Sequence, residues 1–345
     1  MRTFKRLTIR TSALMLGAAL LAPTAPGAAE QPGAGETVRP ARATWDTGWF
    51  HVEIYNKALE ELGYQVERTK TLDNTVFYQA VAQGDVDFWV NGWFPQHMEY
   101  EDDFGSGAEI VGYVAKGGAL QGYMIDKRSA DEHGITNLAD LGDPDVAALF
   151  DSDGDGRADM AACPPGWYCS EIIEHQLDAY GLADRVHPSS ATYAAAMADT
   201  LARWRNGDPV LFYTWTPSWV IGFLKPGEDA VWLEVPEPAL PDEQQMFEDD
   251  TTVEGVEGCV ADPCLMGWPA NDIQPVANSA FLEANPAARK LFEVMRIPLE
   301  DIAAQNALMF EGEDSEEDLA RHADGWIAEN REQFEQWLEE ARAAS

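Results

Sequence analysis

Three tryptophans in this chain stand where it changes direction, each with neighbours able to contact a ligand. The first lies in Ala162-Cys163-Pro164-Pro165-Gly166-Trp167-Tyr168-Cys169-Ser170, just ahead of a segment that reads as a helix, Glu171 to Tyr180. Two prolines remove backbone freedom there, and a ring closed by Cys163 and Cys169 would fix Trp167 before a ligand arrived. The second lies in Asn91-Gly92-Trp93-Phe94-Pro95-Gln96-His97, where Pro95 suits the first turn of a helix and would bring His97 beside Trp93. The third, Trp215, ends the apolar run Pro209 to Trp215 before Thr216-Pro217. Indole faces attract diffuse cations through the ring quadrupole. Free amides at a helix start near Cys169, with His97, would suit a carboxylate. The same residues also fit core tryptophans, a stapled turn and a surface imidazole.

The elements that must position these groups alternate between helix and strand. Phe50 to Leu62 has helical spacing and stops at Gly63; Tyr64 to Glu67 alternates as a strand; Thr75 to Gln83 reads as a helix closed by Gly84. Asp85 to Val90 and Gly122 to Asp126 read as further strands, and such alternation predicts a parallel α/β sheet. Tyr193 to Arg205 reads as a helix. Glu234 to Gly258 reads as an acidic surface excursion. From Ile273 the pattern gives a strand at Pro275 to Asn278 and helices at Pro286–Met295, Leu299–Met309 and Ser315–Ala343. Ligands bind at the carboxyl ends of strands in open α/β sheets, where Trp93 and Trp215 fall.

The N-terminus has a basic start, a short apolar run from Ala13 to Leu21 and small residues through Ala29, the pattern of a secretory signal peptide over residues 1–29. Glu30 to Arg42 is rich in Gly, Pro and Ala and reads as a flexible leader. No later stretch spans a bilayer, so direct membrane insertion is not expected. The formal net charge is -37, which repels nucleic acid and anionic lipid. Hydrophobic residues make up 46% of the chain, so it is a folded protein and not an acidic disordered one.

Four cysteines in an exported chain favour disulfides, with Cys163/Cys169 and Cys259/Cys264 as the local pairs, although three connectivities and a four-cysteine zinc site also fit the count. Asp151, Asp153, Asp155, Arg157 and Asp159 follow the first half of a calcium loop, with Gly156 at the sixth position. The twelfth position holds Ala162 where the pattern needs Glu, so a turn braced by structural calcium and a metal-free acidic turn both remain open. No phosphate-binding loop, Gly-x-Ser-x-Gly or His-Glu-x-x-His is present, and the six histidines are scattered. An exported hydrolase using Cys169 or an acidic cluster is the enzyme reading left.

Several longer stretches carry a family resemblance: Leu59-Glu60-Glu61-Leu62-Gly63-Tyr64, Gly122 to Lys127, Asp151 to Asp159, Cys163 to Cys169, Phe212 to Pro217, Val231-Trp232-Leu233, Asn285 to Ala288, Asp301 to Met309 and His322 to Trp326. Together they resemble the periplasmic glycine betaine/proline betaine-binding proteins of osmoprotectant ABC importers. The resemblance implies a two-lobed α/β fold of the type II periplasmic binding-protein class, with the ligand between the lobes. One lobe is expected over 43–121 and 273–345 and the other over 122–272. It also implies an aromatic box of Trp93, Trp167 and Trp215, with the carboxylate held by His97 and the amides of Tyr168 and Cys169. Tyr168 stands where the family pattern leads us to expect glycine, and Cys259/Cys264 is a further departure. A monomer that meets a membrane ABC permease and needs no cofactor is expected. Choline, carnitine or a sulfonium zwitterion are the alternative ligands.

Overall fold

The computed structural model describes residues 31–189 and 191–345; the signal peptide expected over 1–29 lies outside the described residues. Two sheets, each flanked by helices, organise the described chain.

The first sheet is centred on Asn271–Asn278, which pairs antiparallel with Phe88–Phe94, Ala108–Ile110 and Ala115–Ala119. Every residue of Phe88–Phe94 is buried, on both faces of the strand, with Asn91 as its one polar side chain. Trp89 stacks on Phe77 at 3.8 Å between ring centroids, tying the strand to the helix Asn74–Gln83. That helix closes where Gly84 adopts φ 77°, a left-handed conformation natural to glycine.

The second sheet runs in the order Val186–Pro188, Ala158–Ala161, Leu211–Trp215, Gln121–Asp126, Ala230–Trp232. Its first three strands are parallel, while Gln121–Asp126 pairs antiparallel with both neighbours. The sheets are therefore mixed or antiparallel where helix–strand alternation predicts a parallel one. The reason is connectivity: Gln121–Asp126 arrives directly from the first sheet, and Asn271–Asn278 returns to it.

Three further expectations change. The segment 30–42 is not a flexible leader throughout: Thr37–Val38 and Ala41–Ala43 pair parallel with Gln65–Val66 and Lys70–Leu72, and Val38 and Ala41 are wholly buried. Their small apolar side chains hide among Gly and Pro that carry no periodicity. The last helical stretch divides at Asn330 into Glu316–Glu329 and Arg331–Ala343. The acidic excursion carries a 3-10 turn, Asp242–Asp250, whose Gln244 is fully buried. No helix among the described residues is long and apolar enough to cross a membrane.

Candidate ligand-binding site

The ends of three buried strands and the starts of two helices converge on a single cavity. Phe88–Phe94 contributes Trp93, the following 3-10 turn Gln96–Tyr100 contributes Gln96 and His97, and the helix start at Asn74 contributes its amide. From the second sheet come Tyr213 and Trp215 on one strand, Gln121 on its neighbour, and Trp167, Tyr168 and Cys169 at the start of the helix Tyr168–Ala179. The three tryptophans and the carboxylate-binding set expected from sequence thus meet in one place. Trp45, which precedes the helix Thr47–Glu61, joins them as a fourth indole.

The rings are set edge to face. Trp167 lies 5.8 Å from Trp215 at 76° and 5.5 Å from Trp45 at 67°, so the edge of one ring meets the face of the next and neither pair is stacked. Tyr193 packs 4.5 Å from Trp215 and anchors its hydroxyl on the Tyr213 carbonyl and Thr214 Oγ1. Each indole N–H that bonds is turned into protein: Trp93 to Asn91 Oδ1, Trp167 to Thr44 Oγ1 and Trp215 to Thr47 Oγ1. Thr44 and Thr47 flank Trp45 at the start of the Thr47–Glu61 helix, while Trp167 caps the Tyr168–Ala179 helix and Trp215 ends a strand of the second sheet, so two indole hydrogen bonds of 2.9 Å join the two halves.

His97 is held in one tautomer. The backbone N–H of Trp93 can only donate, and it meets Nδ1 at 3.2 Å; the Tyr78 hydroxyl reaches the same nitrogen at 2.8 Å. Nδ1 is therefore an acceptor and, in the neutral ring, Nε2 carries the proton; the Asn74 side-chain amide lies 3.4 Å away, and its Oδ1, which has no other partner, is the atom of that amide able to receive the proton. Burial pushes the imidazole pKa down to about 3, so His97 offers a hydrogen bond and no charge. Its ring signals in a carbon–proton NMR titration should stay constant from pH 8 to pH 5. A titration of His97 centred near the ordinary value would contradict this tautomer and its burial. A depressed histidine pKa also means that His97 lowers stability as pH falls below the ordinary imidazole value, because only the unfolded chain then takes up the proton.

The Cys163–Cys169 and Cys259–Cys264 bonds are both formed, and no free cysteine remains among the described residues. Cys169 therefore offers no thiol to a nucleophilic mechanism. The six-residue separation closes the loop that carries Trp167, the cap residue of the Tyr168–Ala179 helix. Ser170 N–H is bonded to the Trp167 carbonyl, whereas the first amides, Tyr168 and Cys169, open the helix, where intrahelical acceptors run out. The Tyr168 hydroxyl bonds to Glu243 Oε1 at 3.2 Å, and its ring lies 6.4 Å from Tyr100 across the cleft. Near it, burial, Glu171 and Glu243 push the Glu99 carboxyl up to about 7.

Comparison with known proteins adds relatives to this geometry. A family model described as the substrate binding domain of ABC-type glycine betaine transport systems matches residues 36–329. This chain belongs to that family. It is 44% identical over 318 residues to the glycine betaine/proline betaine-binding periplasmic protein of Salmonella typhimurium, covering 92% of this chain and 93% of the relative. It is 45% identical over 318 residues to the protein of the same description from Escherichia coli, with the same coverage. Among solved structures, lactococcal OpuAC closed on glycine betaine superposes with a TM-score of 0.63 at 19% identity, covering 88% of this chain and 99% of that one. A glycine betaine, L-proline-binding protein from Borrelia burgdorferi gives 0.68 at 16% identity, covering 90% and 99%. These structures share the two-lobed α/β fold.

As a member of the glycine betaine transport family, the chain shows four site features that its sequence conceals. Trp45 sits in Thr44-Trp45-Asp46-Thr47, ahead of a helix and outside any strand, so strand-end reasoning passes over it. Asn74 is an ordinary helix-start residue by type. Gln96 and Gln121 bond to each other across the cavity, and Tyr213 donates to Gln121 Oε1 at 2.5 Å. Gln244 reaches in from the acidic excursion to donate to the Gln96 carbonyl at 2.5 Å.

The aspartate loop comes together in part. Asp151, Asp153 and Asp159 each place an oxygen within 4.8 Å of the others. Asp155 is turned to Arg157, whose guanidinium meets it at 2.6 Å and holds its carboxyl below the usual range. Asp151 accepts the amides of Gly154 and Gly156, and Asp159 accepts those of Ser152 and its hydroxyl.

Proposed function

We propose that this protein is the periplasmic receptor of an osmoprotectant importer: it captures glycine betaine or proline betaine between its lobes and hands it unchanged to a membrane ABC permease. It works as a single chain and without a cofactor. The observation that carries this reading is the pairing, in one cavity, of four indoles with a neutral His97 Nε2–H and the opening amides of a helix.

Each part answers one part of a betaine. The quaternary ammonium has no N–H to donate, so it is recognised by indole faces at roughly 0.5 to 2 kcal/mol per ring. The carboxylate needs donors, and the Tyr168 and Cys169 amides with the positive end of the helix supply them. His97 adds a neutral donor. Choline has no carboxylate for these groups, which favours betaines over it.

Closure completes the cage, because Trp93 and His97 lie on one side and Trp167 and Trp215 on the other. A ligand that touches both sides favours the closed form by its differential contacts alone. The Thr44–Trp167 and Thr47–Trp215 bonds fix the ring planes in that form. Titration with glycine betaine should change the tryptophan emission and saturate at or below millimolar ligand. No optical or calorimetric response at millimolar betaine would overturn the reading.

A further inference from the structure

A second cavity opens on the far side of the Trp45–Trp167 pair. Both indoles line it as well as the inner cage, so they form the partition between the two. Its other aromatic walls are Trp49, Tyr193, Trp219 and Phe310, and Pro164 and Pro165 of the stapled loop close one side. The charged groups lining it are Asp46, Asp73 and Asp314, with no basic side chain among them.

Asp46 is the telling residue. It precedes the helix Thr47–Glu61 at the capping position, yet its side chain makes no capping hydrogen bond. No lysine, arginine or histidine pairs with it among the described residues; the residue is partly exposed, and its carboxyl takes hydrogen bonds from the backbone N–H groups of Asp46 and Thr47. Arg42 lies over the Trp49 ring at 3.9 Å from its centroid and senses Glu316 and Glu53. Burial pushes the Asp46 carboxyl up to about 6, and the two backbone N–H groups oppose that rise. Asp73 is occupied by the Thr44 hydroxyl at 3.3 Å, and Asp314 is exposed at the rim.

We propose that this outer cavity is a second binding site, for a small organic cation without a carboxylate, held by Asp46 and by the indole and phenol rings around it. The chemistry is the reverse of the inner cage at one end. There, amides and His97 receive a carboxylate; here, three aspartates repel one. A tetraalkylammonium head group satisfies both the rings and Asp46, whereas a zwitterion would carry its own carboxylate into an acidic cavity. Residues from both halves line the cavity, Asp46 and Phe310 on one side and Pro165 and Tyr193 on the other, so a cation bound there also favours closure. Tyr193 faces Asp46 and feels its charge, and burial together with Asp46 holds that phenol protonated well above neutrality.

The test uses the full mature protein and tetramethylammonium chloride in low-salt buffer, followed by calorimetry with and without saturating glycine betaine. Betaine binding is scored first, so failure of the betaine reading is seen separately from failure of this one. The expected result is one tetramethylammonium site that persists in betaine-saturated protein. Asp46→Asn should weaken it by about tenfold or more while leaving betaine affinity unchanged. Wild-type protein should lose the same site as pH falls from 7.5 to 5, because Asp46 takes up a proton across that range; this arm decides if the variant does not fold. Tetramethylammonium that binds only betaine-free protein, that does not bind, or that binds equally at both pH values would overturn the proposal.

Discussion

Trp215→Ala should weaken glycine betaine binding by about 100-fold while leaving the fold intact. One indole face contributes roughly 0.5 to 2 kcal/mol to a desolvated cation. The same substitution removes the hydrogen bond from the indole N–H to Thr47 Oγ1, one of two that join the halves of the molecule. A typical bond of this kind is worth about 1 kcal/mol net, and each 1.4 kcal/mol is about tenfold in affinity. Trp215→Phe keeps a π face but not the N–H, so it should fall between wild type and alanine. Calorimetry gives the affinities, and far-ultraviolet circular dichroism checks the fold. Affinity within about threefold of wild type for the alanine variant would remove Trp215 from the cage.

The second large effect concerns the stapled loop. Replacing Cys163 and Cys169 together by alanine should lower stability by about 2 kcal/mol, the chain-entropy value for so short a ring. It should also weaken betaine binding, because the loop holds Trp167 and presents the amides at the start of the Tyr168–Ala179 helix. The Cys259–Cys264 bond closes a ring of similar size, yet those residues do not line the cavity, so their replacement is the matched control. That variant should lose similar stability with affinity near wild type. Denaturant unfolding and betaine titration on both variants separate the roles. Equal affinities in the two would show that the first bond is a staple and nothing more.

Much of this site was legible in the sequence because its residues announce themselves by type and place. Trp93 closely follows an apolar strand run and Trp215 ends one, and Trp167 sits inside a ring of cysteines and prolines. His97 follows Trp93 at the spacing of one helical turn, and the structure joins them through the Trp93 N–H and Nδ1. Family resemblance then grouped residues that local pattern alone leaves apart. The charge state of His97 was not legible, since it depends on Tyr78 and on burial among rings distant in sequence.

What escaped has a common cause. Trp45, Gln121 and Gln244 reach the site through contacts between segments far apart in the chain, and no local periodicity encodes those contacts. Gln244 was hidden by its setting in an acidic stretch that reads as surface. The sheet direction escaped for the same reason: helix–strand alternation is local, whereas the return of Asn271–Asn278 to the first sheet is a long-range choice. Tyr168 was visible as a departure from the family pattern, but only the structure shows its hydroxyl drawn to Glu243.

The central claim is that the indoles select a positive charge and not merely a shape. Replacing the nitrogen of glycine betaine by carbon gives 3,3-dimethylbutanoate, which keeps the three methyl groups and the carboxylate and loses only the cation. Calorimetric titration of both compounds into the same protein tests the claim most directly. The isostere should bind at least about 100-fold more weakly, the loss expected when several cation–π contacts become ordinary apolar ones. Equal affinity for the two would contradict the account.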